Sequence, residues 1–123
     1  MNTSPKWMRI TGLVCHLLVG ALMLFACGMK AANKLPPEAI EDMAKFGIAD
    51  RLQMIGIGGL ISAILLMIPR TSFLGSLAVS SYFGGAILLH MARHESYTLV
   101  AVILLVTWAG AILRHPSAFL NRD

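Results

Sequence analysis

His90 is the side chain best suited, by type and position, to take part in ligand chemistry. It lies near the end of a long apolar run, where an imidazole can donate a hydrogen bond to the carbonyl oxygen of a quinone. Tyr82, Tyr97 and Trp108 would supply the aromatic lining of such a pocket. Tyr97 is explained equally well as an anchor at a membrane surface, so the quinone pocket and the anchor remain alternatives.

A metal site is the second chemistry that His90 suggests, because His94 follows it by four residues. On a helix this spacing places both imidazoles on one face, an arrangement used in metal sites. Glu95, and Glu38, Glu41 or Asp50 from the first link, are expected on the same side of a membrane and could complete a ligand set. Two histidines at the end of a helix do not make a complete ligand set, and we expect no metal.

His16 is the other histidine inside an apolar run, about seven residues into the first one. Charged groups are costly inside a membrane, so we expect a neutral imidazole that contacts a serine or a backbone carbonyl. His16 and His90 would fall in opposite leaflets and share no ligand. The apolar runs contain no Asp or Glu, which argues against a proton-coupled exporter, and no nucleophile–base pair is apparent.

These side chains are positioned by four uncharged segments, residues 10–29, 52–69, 71–92 and 96–113. Of the 123 residues, 57% are hydrophobic and 13% are charged, about half the ~25% charged residues of a soluble domain. Apolar segments of ~17–25 residues cross a bilayer as helices. The sequence therefore predicts one all-α domain over residues 1–123, a membrane-spanning up-down-up-down four-helix bundle in contact with the lipid bilayer.

The long first link, residues 30–51, predicts a further helix on the side of the membrane where His90 lies. A Pro-Pro-Glu run opens it, and the apolar spacing that follows indicates an amphipathic helix over about residues 37–46. Asp50 and Gln53 resemble a capping box for the next helix. If the protein has a site, we expect it under this link, beside His90.

Small residues recur at helical spacing in the apolar segments, which predicts close contact between helices. In the third segment they are Ser72, Ser76, Ser80 and Gly84. In the first segment they are Gly12, Gly20 and Gly28. We favour packing within the bundle as their role over the seam of a homodimer.

The charged residues cluster at the ends of the apolar segments, and this pattern excludes a nucleic-acid-binding surface. With four spans both termini share one side, and each side carries five Lys or Arg residues. The basic residues therefore do not orient the chain, whereas five of the six acidic residues fall on the side of the long first link. We expect both termini in the cytoplasm and a bacterial inner membrane as the location.

Several runs, taken together, resemble the DoxX-like membrane proteins. They are Leu35-Pro36-Pro37-Glu38, Ile68-Pro69-Arg70-Thr71 with Leu74-Gly75, the stretch from Tyr82 to His90, and Trp108-Ala109-Gly110 with Leu113-Arg114. The Gly-Gly-Ala-x-x-x-His element that ends at His90 is the most specific of them. The resemblance covers Leu35 to Arg114 and implies a small four-helix membrane protein.

Two functions stay open after the resemblance. We prefer a non-enzymatic partner or assembly component of other membrane proteins, because the sequence has no apparent nucleophile–base pair, no acid within the apolar segments and no secure cofactor site. The alternative is an accessory subunit of a quinone-linked membrane oxidoreductase, because the family name comes from a subunit of a thiosulfate:quinone oxidoreductase. Relatives often carry a Glu early in the second span, where this chain has Gly56 to Gly59 and no acid.

Overall fold

A computed structural model describes residues 5–45 and 47–119 of the chain. The α-helices are α1 (Lys6–Ala31), α2 (Pro37–Lys45), α3 (Leu52–Met67), α4 (Ser72–Ala92), α5 (Thr98–Arg114) and α6 (Pro116–Phe119). Two 3-10 turns, Ala49–Arg51 and Pro69–Thr71, precede α3 and α4. The described part of the chain contains no strand, and the all-α prediction is confirmed. The sequence did not predict α6, and residue 46 of the predicted loop helix lies outside the described residues.

The four long helices contact one another in a closed ring. α1 packs against α3 and α5, and α4 packs against the same two helices. Gln53 Nε2 near the start of α3 donates a hydrogen bond to the carbonyl oxygen of Ala31 at the end of α1, at 3.0 Å. At the other end, Ser72 of α4 lies against His115, just past α5. Neighbouring helices in the ring are therefore antiparallel. The N-termini of α1 and α4 and the C-termini of α3 and α5 lie at the same end of the ring.

Two helical segments are long and apolar enough to cross a membrane, namely Lys6–Ala31 with 26 residues and Pro69–Ala92 with 24. α3 and α5 are shorter apolar helices of 16 and 17 residues. α3 ends at Met67, before the predicted limit at residue 69, because Pro69 disfavours helical backbone at the preceding residue. Ile68 accordingly is extended, with φ −79° and ψ 126°.

The polarity of the fold is inverted relative to a soluble protein. Large apolar side chains point away from the other helices, and Leu18, Phe25 and Leu99 are each more than 60% exposed. Polar side chains lie in the interior, where His16, Ser72, Ser76 and Thr107 are fully buried. His16, Ser76 and Thr107 bond to backbone carbonyls. Ser72 bonds to the carbonyl of Pro69 and to the ring of His115. The apolar core beside them consists of Val19, Met23, Cys27, Ala63, Leu66, Val79 and Phe83.

Glycines allow several helices to approach at backbone distance. A Cβ atom on Gly75 of α4 would overlap the backbone of Leu66 in α3, and one on Gly56 would lie 2.6 Å from the carbonyl oxygen of Cys27 in α1. Gly12 meets α5, where its Cβ would lie 2.9 Å from the oxygen of Gly110. The packing role predicted for small residues holds at Gly12. The closest approach, at Gly75, was not anticipated from the sequence. The packing role does not hold at the end of the ridge in α4, since a Cβ on Gly84 would meet open space.

The capping box predicted at Asp50 and Gln53 is wrong. Asp50 lies within the 3-10 turn Ala49–Arg51, and the residue that caps α3 is Arg51, which makes no side-chain capping bond. Gln53 instead uses its amide to hold the end of α1. Tertiary contact between two helices has replaced the local hydrogen bond that the spacing suggested.

Candidate functional site

A cavity of about 550 Å³ opens between the end of α1, α2, the start of α3 and the end of α4. This volume falls within the ~300–1,000 Å³ of typical small-molecule sites. Its lining residues are Lys30, Met43, Ile48, Ile55, Tyr82, Gly85, Ala86, Leu88, Leu89 and His90. The walls are mostly apolar, and the polar groups on them are one ammonium, one phenol and one imidazole. The cavity lies under the first link, beside His90.

Lys30 and Tyr82 form the polar pair of the cavity. Lys30 Nζ donates a hydrogen bond of 2.8 Å to the Tyr82 hydroxyl oxygen and lies 5.5 Å from the centroid of its ring. Cys27 Sγ, one turn earlier on α1, also donates to this oxygen at 3.4 Å. Because both neighbours donate, the Tyr82 hydroxyl hydrogen is available to an acceptor in the cavity. The pair can therefore present a cation and a hydrogen-bond donor to a carbonyl oxygen.

The local sequence explains how this pair reaches the cavity. Lys30 is in the last turn of α1, where a cation is favoured by the carbonyl end of the helix and where a long aliphatic stem can pack on apolar surface. On α4, Gly85 lines the cavity and carries no side chain, and a Cβ there would meet nothing within 4 Å. Gly85 thus leaves part of the space that the cavity occupies, one turn after Tyr82.

His90 lies on the cavity wall further along α4. Its Nδ1 is 3.3 Å from Glu95 Oε1, and both side chains are partly exposed. His94 is not on the same helical face, because α4 ends at Ala92 and His94 has a left-handed backbone with φ 56°. Within residues 5–45 and 47–119, no three His, Cys, Asp or Glu side chains are grouped to hold a metal ion.

The structure brings together only two of the four residues named for a quinone pocket. Tyr82 and His90 line the cavity, whereas Tyr97 and Trp108 do not. Tyr97 immediately precedes α5 and is 40% exposed. Trp108 lies deeper along α5, where its Nε1 donates to Ser80 Oγ on α4 at 3.1 Å. Tyr97 therefore fits the anchor interpretation, and Trp108 joins two helices.

Sequence reasoning missed Lys30, which it treated only as the charge that ends an apolar segment. One signal was available. Cys27 precedes Lys30 by three residues, so the two side chains share a helical face, and Cys27 is buried in the core. A lysine on the buried face of a helix terminus points toward a cavity or a partner rather than toward bulk water.

A second polar cluster lies at the opposite end of the helix ring, around His16. The His16 ring is fully buried, with Nε2 2.9 Å from the carbonyl oxygen of Thr107 and Nδ1 2.9 Å from Nη1 of Arg114. A carbonyl only accepts and a guanidinium only donates, so His16 is the neutral tautomer with its hydrogen on Nε2. The backbone contact agrees with the sequence prediction, but the link to Arg114, 98 residues away, was not anticipated.

His115 extends this cluster toward the end of the helices. Its Nε2 lies 2.6 Å from Ser72 Oγ, and its ring makes an edge contact with Phe73 at 5.9 Å between centroids. Burial lowers the pKa of His115 below its ordinary value of 6.5, and the neighbouring Arg114 charge lowers it further. His115 is therefore neutral at pH 7.

The protein is all-helical, and two of its helical segments are long and apolar enough to cross a membrane. An apolar cavity lies at one end of the helix ring. A family model described as the DoxX-like family matches residues 14–113. The chain belongs to the DoxX-like family, and the resemblance seen in the sequence is confirmed. No curated protein and no solved structure gives a significant match to the chain.

Proposed function

We propose that this chain is a multi-pass integral membrane protein whose four long helices each cross the bilayer. The inverted polarity of the fold supports the crossing, because apolar side chains such as Leu18 and Phe25 cover the outside and polar ones such as Thr107 lie inside. α3 and α5 are about 24–26 Å long at ~1.5 Å per residue. These lengths are a few ångströms less than a ~30 Å hydrocarbon core. The turns that flank both helices and a slight thinning of the bilayer account for the missing length.

The proposed orientation puts both termini in the cytoplasm of a bacterial cell, with the cavity facing the other side of the inner membrane. The acidic residues described by the structure all belong to the cavity end, namely Glu38, Glu41, Asp42, Asp50 and Glu95. The opposite end carries Lys6, Arg9, Arg70 and Arg114. Reporter fusions after residue 123 and after Lys34 test this orientation. A terminal reporter active outside the cytoplasm would overturn it.

The cavity supports a binding function best, and its ligand is proposed to be a lipid-soluble quinone. The observation that carries this proposal is the Lys30–Tyr82 pair, which holds a cation and a free hydroxyl hydrogen on an otherwise apolar wall. A quinone has an apolar ring and carbonyl oxygens that accept such hydrogen bonds, and the apolar walls accommodate its ring. The chain would then act as a non-enzymatic accessory subunit of a quinone-linked membrane oxidoreductase.

Quinone content of the purified protein tests this function. The protein is extracted from its own membranes in mild detergent, and bound quinone is measured by mass spectrometry. We expect about one quinone per chain, with at least a tenfold loss in Tyr82→Phe and Lys30→Met. Trp108→Phe is the matched control, because it changes an aromatic residue outside the cavity. A wild-type protein that carries no quinone contradicts the proposal.

A partner or assembly role for other membrane proteins is the second candidate, and open glycine surface favours it. A Cβ atom on Gly58 or Gly84, neither of which lines the cavity, would meet no atom within 4 Å. Glycines that no helix of this chain covers let a helix of another protein, or of a second copy, approach closely in lipid. Co-purification of a protein partner without quinone would favour this role over the first.

A further inference from the structure

We propose a second binding site, for the phosphate group of an anionic membrane lipid, at the end of the helix ring opposite the cavity. The site is centred on Arg114 and His115. Two shallow grooves of about 240 and 220 Å³ meet at these residues. Arg9, Leu13 and Pro69 complete the lining of the larger groove. The inference goes beyond the proposed quinone site, from which it is separated by the length of the helices.

Within the part of the chain that the structure describes, Arg114 is held in place by two neutral groups. Its Nη1 donates to His16 Nδ1 at 2.9 Å and to the carbonyl oxygen of Leu66 at 3.2 Å. These contacts use both hydrogens of one nitrogen and leave the Nη2 and Nε donors of the guanidinium. Neither contact neutralises the charge, because His16 is the neutral tautomer. The side chain is therefore an oriented cation with unused donors at the wall of both grooves.

The described surroundings of Arg114 supply no counter-charge. Among the described residues, every Asp and Glu belongs to the other end of the helix ring, and no carboxylate pairs with Arg114. Arg9 adds a second positive charge on the rim of the larger groove. His115 adds an imidazole that is anchored by Ser72. A partly buried guanidinium without a counter-ion is costly, and a bound anion would remove that cost.

Phosphate fits this arrangement better than a carboxylate or a halide. A guanidinium binds two phosphate oxygens through parallel hydrogen bonds. A phosphate has further oxygens for the second cation that lines the larger groove, Arg9, which a carboxylate bound in this way lacks. The site lies where α1 and α4 start and α5 ends, which is the headgroup level of the proposed four-span arrangement. A lipid headgroup is the expected source of the phosphate, since the acyl chains can lie against the exposed apolar surface of α1.

Lipid binding in detergent tests the site by native mass spectrometry. We titrate purified protein with phosphatidylglycerol, with phosphatidylcholine and, in a separate arm, with inorganic phosphate. We expect preferential binding of phosphatidylglycerol and an affinity about fivefold weaker in Arg9→Gln, the factor for one interfacial basic residue. Arg70→Gln is the matched control, because it removes an exposed basic residue at the same end that lines neither groove.

Arg114→Gln should abolish the preference for phosphatidylglycerol. If this variant fails to fold because His16 loses its donor, the affinity of Arg9→Gln for phosphatidylglycerol tests the site by itself. If millimolar inorganic phosphate displaces the lipid, the site still binds phosphate, but its ligand is free phosphate from water rather than a lipid headgroup. Equal weakening by Arg70→Gln and Arg9→Gln, or equal binding of both lipids, would overturn the site. The titration uses micelles, so its result is independent of the number of membrane crossings and of quinone binding.

Discussion

Lys30 Nζ lies 2.8 Å from the hydroxyl oxygen of Tyr82, a residue 52 positions later in the chain. The bond ties the last turn of α1 to the middle of α4, two helices on opposite sides of the ring. It also fixes the position of the two most polar groups on the wall of an apolar cavity. A single interaction thus contributes both to the packing of the helices and to the chemistry of the site.

Tyr82→Phe should lower both stability and ligand content. The substitution removes one oxygen and leaves the Lys30 ammonium without its partner, at an expected cost of about 1.5–3 kcal/mol in the free energy of unfolding. Unfolding in mixed detergent micelles measures this cost. Tyr97→Phe, at an exposed position outside the cavity, should change the free energy of unfolding by less than ~0.5 kcal/mol. An equal loss in both variants would show that the bond to Lys30 is unimportant.

His16→Leu should be strongly destabilising. The substitution leaves one Nη1 hydrogen of Arg114 without a partner in the interior, at about 1–3 kcal/mol. It also removes the hydrogen bond from Nε2 to the carbonyl oxygen of Thr107, at about 1 kcal/mol. We expect a total loss of roughly 2–4 kcal/mol in the free energy of unfolding. Val14→Ala, at an exposed position on the same helix, is the control. Retention of wild-type stability in His16→Leu would mean that the network contributes nothing to folding.

Gly75→Ala and Gly58→Ala should have opposite effects. A Cβ on Gly75 overlaps the backbone of Leu66, which cannot move without separating α3 from α4. The expected loss is about 1–3 kcal/mol in the free energy of unfolding. A Cβ on Gly58 meets nothing, and alanine there should be neutral or stabilise by up to ~1 kcal/mol. Thermal unfolding of both variants in one detergent measures the contrast, which equal melting temperatures would contradict.

Some helix boundaries can be predicted from the sequence, because local chemistry sets them. α2 begins at Pro37, within the Pro-Pro-Glu run, whereas α3 ends at Met67, short of the limit predicted at residue 69. The expected position of a cavity beside His90 followed from short links, which force neighbouring helices to be antiparallel. These signals lie within a few residues of the feature that they determine.

The contacts that make each site depend on how the helices rotate about their own axes, and no local pattern records that rotation. Lys30 meets Tyr82 across 52 residues, and His16 meets Arg114 across 98. Trp108 was assigned to the cavity on residue type, but its depth along α5 places it beside Ser80. Spacing within one helix predicts which residues share a face, and only the packed structure shows what that face meets.

Acidification should destabilise the end of the protein that contains His115. Burial and the Arg114 charge lower the pKa of His115 in the folded protein, whereas the unfolded chain keeps the ordinary value of about 6.5. The unfolded state therefore binds more protons as the pH falls through 6.5, and stability decreases from there downward. It is fully retained above about pH 7. Arg114, Ser72 and the nearby His16 are the polar groups that face this imidazole.

Melting temperature as a function of pH measures the effect in wild type and in His115→Gln. The variant keeps a side chain able to hydrogen-bond to Ser72 but cannot titrate, so its melting temperature should fall less between pH 7 and pH 5. His94→Gln is the matched control, because His94 is exposed in the link after α4, and this variant should keep the wild-type slope. Parallel curves for wild type and His115→Gln would show that protonation of His115 is not coupled to folding.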